Sequence, residues 1–92
     1  MILVIWDLED DPQGNVQHIA EHGVTPDEVE EVFDDCYNRT DCSISSGQPI
    51  TFGWTNAGRY LAVVWELVEK DPLVLYPVTA YPVPEPRKEK SR

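Results

Sequence analysis

Eleven residues near the front of the chain, Gly23 to Phe33, constrain the fold more than any other stretch. Thr25 and Glu28 form a T-x-x-E capping box, in which a hydroxyl and a carboxylate each satisfy a main-chain N–H at a helix start. Pro26 falls at the first helical position, where its missing N–H costs nothing. Val24 and Val29 are placed to form a hydrophobic staple across that start. Val29, Val32, Phe33 and Cys36 then recur at i, i+3, i+4 and i+7, which is one apolar helix face. Asp27, Glu28, Glu30 and Glu31 favour the positive end of the helix dipole. Asp34 and Asp35 oppose its negative end and help to stop the helix. Gly23, just ahead, supplies the left-handed residue that ends a preceding helix.

That preceding helix is expected to begin with Asp11 as N-cap and Pro12 as first residue, and to run to about His22. Its apolar stripe is Val16, Ile19 and Ala20, which puts His18 and His22 on the opposite side, near Asn15. Ahead of it, residues 2–6 are a continuous apolar run with β-branched members, read as a buried strand. The run is far too short for a membrane span and no basic segment precedes it, so a cytoplasmic protein is expected. Residues 37–49 read as loop. Ile50, Phe52 and Trp54 alternate with Thr51, Gly53 and Thr55 as a strand, and Asn56-Ala57-Gly58 turns a hairpin. Arg59 to Leu67 makes the next strand, with Leu61, Val63, Trp65 and Leu67 on one face. Glu69 to Pro72 turns again, and Leu73 to Tyr81 makes a third strand. Pro77 and Pro82 cannot donate to a ladder, so that strand is an edge, bulged, or shorter than it looks. The proline-rich residues 83–86 and the basic end form a mobile tail. The order β-α-α-β-β-β predicts an α+β fold: one domain over residues 1–82, an antiparallel sheet with two helices packed on one face.

Charge narrows the function classes. The net charge is −10, and residues 1–46 hold twelve acids against one base, Arg39. A domain this acidic repels phosphate backbones, which argues against general nucleic-acid binding; it suits a basic protein partner or simply reflects solubility, since charge runs are usually solvated faces. The acidic helix face Glu30, Glu31 and Asp34 is where such a partner would dock. Cys36 and Cys42 show no C-x-x-C spacing and read as free thiols. Asn38-Arg39-Thr40 matches a glycosylation sequon, taken as chance in the absence of a secretion signal.

Several residue groups also resemble the BrnT family, toxins of bacterial toxin–antitoxin pairs with a RelE-like ribonuclease fold. They are Trp6-Asp7 after the first strand, Asn15, His22-Gly23-Val24, Glu28, and Val32-Phe33. Gly58-Arg59 then heads an apolar strand, as in the family's D-G-R-x-x-x-V-V pattern, and Val78 to Tyr81 sits where the family has I-S-A-R. The resemblance covers about residues 2–82. It implies a RelE-like fold and a cognate antitoxin as partner. Four features depart from the family pattern. Glu21 replaces a basic residue before His22, Tyr81 replaces the last arginine, and a proline-rich tail replaces a basic helix. The gap after Trp6-Asp7 is longer by about four residues, Leu8 to Asp11. Cleavage of this kind needs cations to hold the phosphate and the charge developing on it, so ribonuclease activity is expected to be weak or absent.

A metal-independent endoribonuclease needs a base, an acid and a cation. The pieces available are His18, His22, Glu66, Arg59, Tyr76 and Tyr81, and the catalytic set the resemblance favours is His22, Arg59 and Tyr81. Each also has a plain structural reading: His22 caps a helix end, Arg59 pairs with carboxylates, and Tyr81 is a half-buried strand residue. His18 to His22 matches the H-x-x-E-H zinc motif, but no third ligand can be assigned and the helix is short. Asp7, Glu9, Asp10 and Asp11 lack the spacing of a calcium loop and read as a solvated turn. No metal or cofactor is expected.

Overall fold

The computed structural model describes residues 2–37 and 50–85. The element order is β1 (Ile2–Val4), α1 (Asn15–Ala20), α2 (Pro26–Tyr37), β2 (Ile50–Trp54), β3 (Tyr60–Lys70) and β4 (Leu73–Pro82). The chain is α+β, with two helices and one four-stranded sheet. Of the loop expected over 37–49, Tyr37 is instead the last residue of α2; residues 38–49, with the sequon and Cys42, and residues 86–92 of the expected tail lie outside the described residues.

Helix α2 forms where its signals agree. Thr25 Oγ1 accepts from Glu28 N at 3.2 Å, and Glu28 Oε1 accepts from Thr25 N at 3.1 Å, a closed capping box. Val29, Val32, Phe33 and Cys36 are all buried. The helix runs to Tyr37, with Asp34 and Asp35 in its last turn. Cys36 is disulfide-bonded, which corrects the free-thiol expectation for this residue.

Helix α1 is shorter than expected. Gly14, not Asp11, holds its N-cap position, without a side-chain bond. Asp11 instead accepts from Gln13 N at 2.9 Å, closing a turn ahead of the helix. A side chain at Gly14 would bring a Cβ within 2.7 Å of Asp7 Cβ, so glycine is what lets the helix start so close to the end of β1. The buried face is Asn15 and Ile19, one turn apart, while Ala20 is exposed. Asn15 therefore does not share the solvent side with His18 and His22. At the far end, Gly23 adopts φ 74°. Val24 N donates to Ile19 O at 3.1 Å and Gly23 N to Ala20 O at 3.0 Å, a Schellman stop.

The sheet order is β1-β4-β3-β2. β2/β3 and β3/β4 are antiparallel, but β1 lies parallel to β4, with Val4 opposite Leu75. The sheet is therefore mixed, which corrects the expected antiparallel one. An apolar run marks a strand but carries no direction, and the long connection from β1 leaves either sense open. β4 is interior, not an edge, and it is bulged at Val78, between the pairs Val64/Thr79 and Trp65/Pro77; a second shift, between Leu67 and Glu69, leaves the extra residue on β3. Pro77 is tolerated there because its missing N–H lies on the β1 side, just past the point where β1 stops.

One core joins both helices to one sheet face: Ile19, Val24, Val29, Val32, Phe33 and Cys36 pack with Leu61, Val63, Trp65, Leu75 and Ala80. Leu67, expected in the same row, is 39% exposed beyond the core. On β2 the small residues face the helices. A Cβ on Gly53 would lie 3.0 Å from Val32 Cγ1 and 3.1 Å from Val32 O. The other sheet face carries aromatic rings, with Tyr60 at 4.7 Å from Trp54 and 6.2 Å from Phe52 between centroids. Among the described residues, no helix is long and apolar enough to cross a membrane.

Candidate functional site

The end of α1, the hairpin between β2 and β3 and the end of β4 bring together the three residues singled out for catalysis. The Schellman stop leaves His22 exposed, with its ring 6.0 Å from that of Tyr81, edge-on, and 6.1 Å from that of His18. Arg59 is set by the turn: Thr55 N donates to Arg59 O at 2.8 Å and Arg59 N to Thr55 Oγ1 at 3.0 Å. Its guanidinium then reaches back to the residue after His22, with Nη1 3.1 Å from Gly23 O. His22, Tyr81 and Arg59 thus share one corner of the molecule.

The chemistry of that corner is limited by Glu28. Arg59 Nη1 lies 2.9 and 2.8 Å from its two carboxylate oxygens, a half-buried ion pair. Glu28 also accepts from Thr25 N, so one carboxylate closes both the capping box and the ion pair. A guanidinium held this way is already neutralised and would have to leave a good partner to meet a phosphate. His18 and His22 remain as an exposed pair one turn apart. Among the described residues, no group of three or more potential metal ligands comes together. Glu66 and Tyr76 lie elsewhere, paired across β3 and β4.

Tyr76 belongs to a second constellation, centred on Asp7 and Asn15. Asp7 N donates to Asn15 Oδ1 and Asn15 N donates to Asp7 Oδ2, both at 2.9 Å. Asn15 Nδ2 donates to Ile5 O at 3.0 Å and to Pro77 O at 2.9 Å. Tyr76 Oη donates to Asp7 Oδ2 at 2.6 Å. That phenol, and then the Asn15 main chain, hold the Asp7 carboxyl below its ordinary range. In return the Asp7 carboxylate, with burial and more distant acids, pushes the Tyr76 phenol up to about 12. Sequence reading placed Asp7 in a solvated turn and Tyr76 among acid–base candidates. The structure pairs both within one hydrogen-bonded network.

The acidic face of α2 divides in two. Glu31 is turned toward the β2–β3 hairpin, where its Oε1 accepts from Asn56 N at 3.0 Å. Glu30 and Asp34 stand over a groove of about 340 Å³ between α2 and β1, lined by Ile2, Leu3, Val4 and Phe33 besides the two acids. Trp6 Nε1 donates to Glu30 Oε2 at 2.8 Å and fixes that carboxylate at the groove. Of the three expected partner-binding residues, the structure joins Glu30 with Asp34 and separates Glu31. The groove was not legible in the sequence, because β1 and α2 meet only through the fold. Comparison with protein-family models, with curated proteins and with solved structures gave no match.

Proposed function

We propose that this protein is a non-enzymatic, acidic binding module that docks a basic protein partner on the face formed by α2 and β1. The observation that carries the reading is the groove itself: an apolar floor of Ile2, Val4 and Phe33 under two carboxylates, Glu30 and Asp34. A cationic side chain whose aliphatic stem lies on such a floor keeps its charged head at the acids. The net charge of −10 favours the approach of such a partner and speeds encounter. Binding to a basic protein or peptide is expected to weaken steeply between low and physiological salt, and to weaken again when Glu30 and Asp34 are neutralised to Gln and Asn. Isothermal titration at two salt concentrations checks both. Salt-insensitive binding would remove the charge argument.

A second reading rests on the corner that holds His22, Tyr81 and Arg59. It is that of a BrnT-like toxin fold, encoded with a cognate antitoxin, whose ribonuclease activity is weak or absent. The two readings share the partner class and differ over catalysis. Incubation with RNA separates them. The ion pair of Arg59 with Glu28 supports an outcome of no cleavage. Cleavage that disappears in both His22→Ala and Arg59→Ala would instead establish the corner as an active site.

A further inference from the structure

We infer that the basic partner is bound as an extended strand added to the open edge of β1, not as a helix laid on α2. The inference rests on the binding-module reading above and makes it specific. Among the described residues, β1 is a terminal strand of the sheet, with β4 on one side only. Ile5 N donates to Leu75 O at 2.9 Å, so Ile5, and by the two-residue alternation Leu3, turn their main-chain groups to β4. Ile2 and Val4 therefore turn theirs outward, into the groove under Glu30 and Asp34. A row of outward main-chain groups is a template for another strand.

The groove also specifies side chains. Ile2 and Val4 lie on the core side of the sheet, and Leu3 and Ile5 on the other side, where they are 43% and 39% exposed. An added strand alternates in the same way. Its core-side positions meet Phe33 and the two acids, so lysine or arginine suits them. Its other positions lie beside Leu3 and Ile5, so apolar residues suit those. The segment recognised thus alternates basic and apolar residues. A second copy of this chain is a poor occupant, because pairing β1 with β1 would bring Glu30 and Asp34 of both copies together in a protein of net charge −10.

The test uses the whole protein, isotope-labelled, and a short end-blocked peptide of alternating lysine and valine. Binding at low salt is expected to shift the Val4 amide and the Trp6 indole N–H and to slow hydrogen exchange at Val4. N-methylating all lysines, or all valines, blocks one peptide edge or the other. One of these two peptides is expected to lose affinity by about tenfold or more while the other does not, because only one edge faces β1. Glu30→Gln keeps an acceptor for Trp6 and removes the charge, and is expected to weaken binding severalfold. Equal affinity of both methylated peptides overturns strand addition and leaves the binding module standing. So does tight binding of a helical lysine–leucine peptide with none for the alternating one. Failure of every basic peptide overturns both. Dimerisation of the free protein through β1 would make a second copy the occupant and overturn the inference.

Discussion

At the scale of single residues, the short bond from Tyr76 to Asp7 ties stability to pH at both ends of the range. Asp7 titrates below its ordinary carboxyl value in the folded chain. The folded state therefore keeps the benefit above the ordinary value and loses it as pH falls through the lowered one. Tyr76 is the mirror case. Its phenol is held up to about 12 against its ordinary value of 10.0, so the benefit is intact below 10.0 and lost as pH climbs toward 12. Tyr76→Phe is expected to return the Asp7 carboxyl toward its ordinary value and to remove one late step from the ultraviolet titration of tyrosinate. Side-chain NMR of Asp7 and the absorbance curve check the two halves. An unchanged Asp7 titration would show that the phenol does not hold it. Little of this pair was legible beforehand, since residues 69 positions apart meet only when β4 lies beside β1.

At the scale of elements, Asn15 works as a splice between strands. β1 stops at Val4, and Pro77 has no N–H to offer to Ile5 O, so the parallel ladder cannot continue. The Asn15 amide bridges Ile5 O and Pro77 O and closes the gap. Only 2% of Asn15 is exposed, so its loss would leave buried main-chain groups without partners. Asn15→Ala is expected to cost about 3 kcal/mol in urea unfolding and to speed hydrogen exchange at Ile5, reporting the detachment of β1. A loss under about 1 kcal/mol would mean that water replaces the amide. The contrast with α2 shows what a sequence can carry. The capping box, staple and apolar face of α2 are local, spanning a few residues each, and all were legible. The start of α1 was misread because Asp11 is a good cap by composition. Its position is fixed instead by the approach of Gly14 to Asp7, a contact between elements.

At the scale of the whole molecule, twelve of the seventeen acids fall in the first half of the chain, and six of those twelve stand on α2. Like charges held together by folding repel, and salt screens them. Raising the ionic strength from about ten to a few hundred millimolar is expected to raise the melting temperature by a few degrees in calorimetry. A fall would show that ion pairs such as Arg59 with Glu28 outweigh the repulsion. The α+β class and the order of elements were legible because periodicity and turn chemistry determine them. The parallel β1 and the groove beneath α2 were not, because each depends on which strands become neighbours; His22, Tyr81 and Arg59 were grouped beforehand only through the resemblance, since no local pattern places them together. The paired bonds between Asp7 and Asn15 have one more consequence. They fasten both ends of the segment from Leu8 to Gly14 to each other, so the span between them is a closed loop hung outside the sheet. Lengthening such a loop adds little closure entropy and moves neither β1 nor α1. Among the described residues it is a place where a short insertion is expected to be tolerated, away from Glu9, whose carbonyl accepts from the Gln17 side chain.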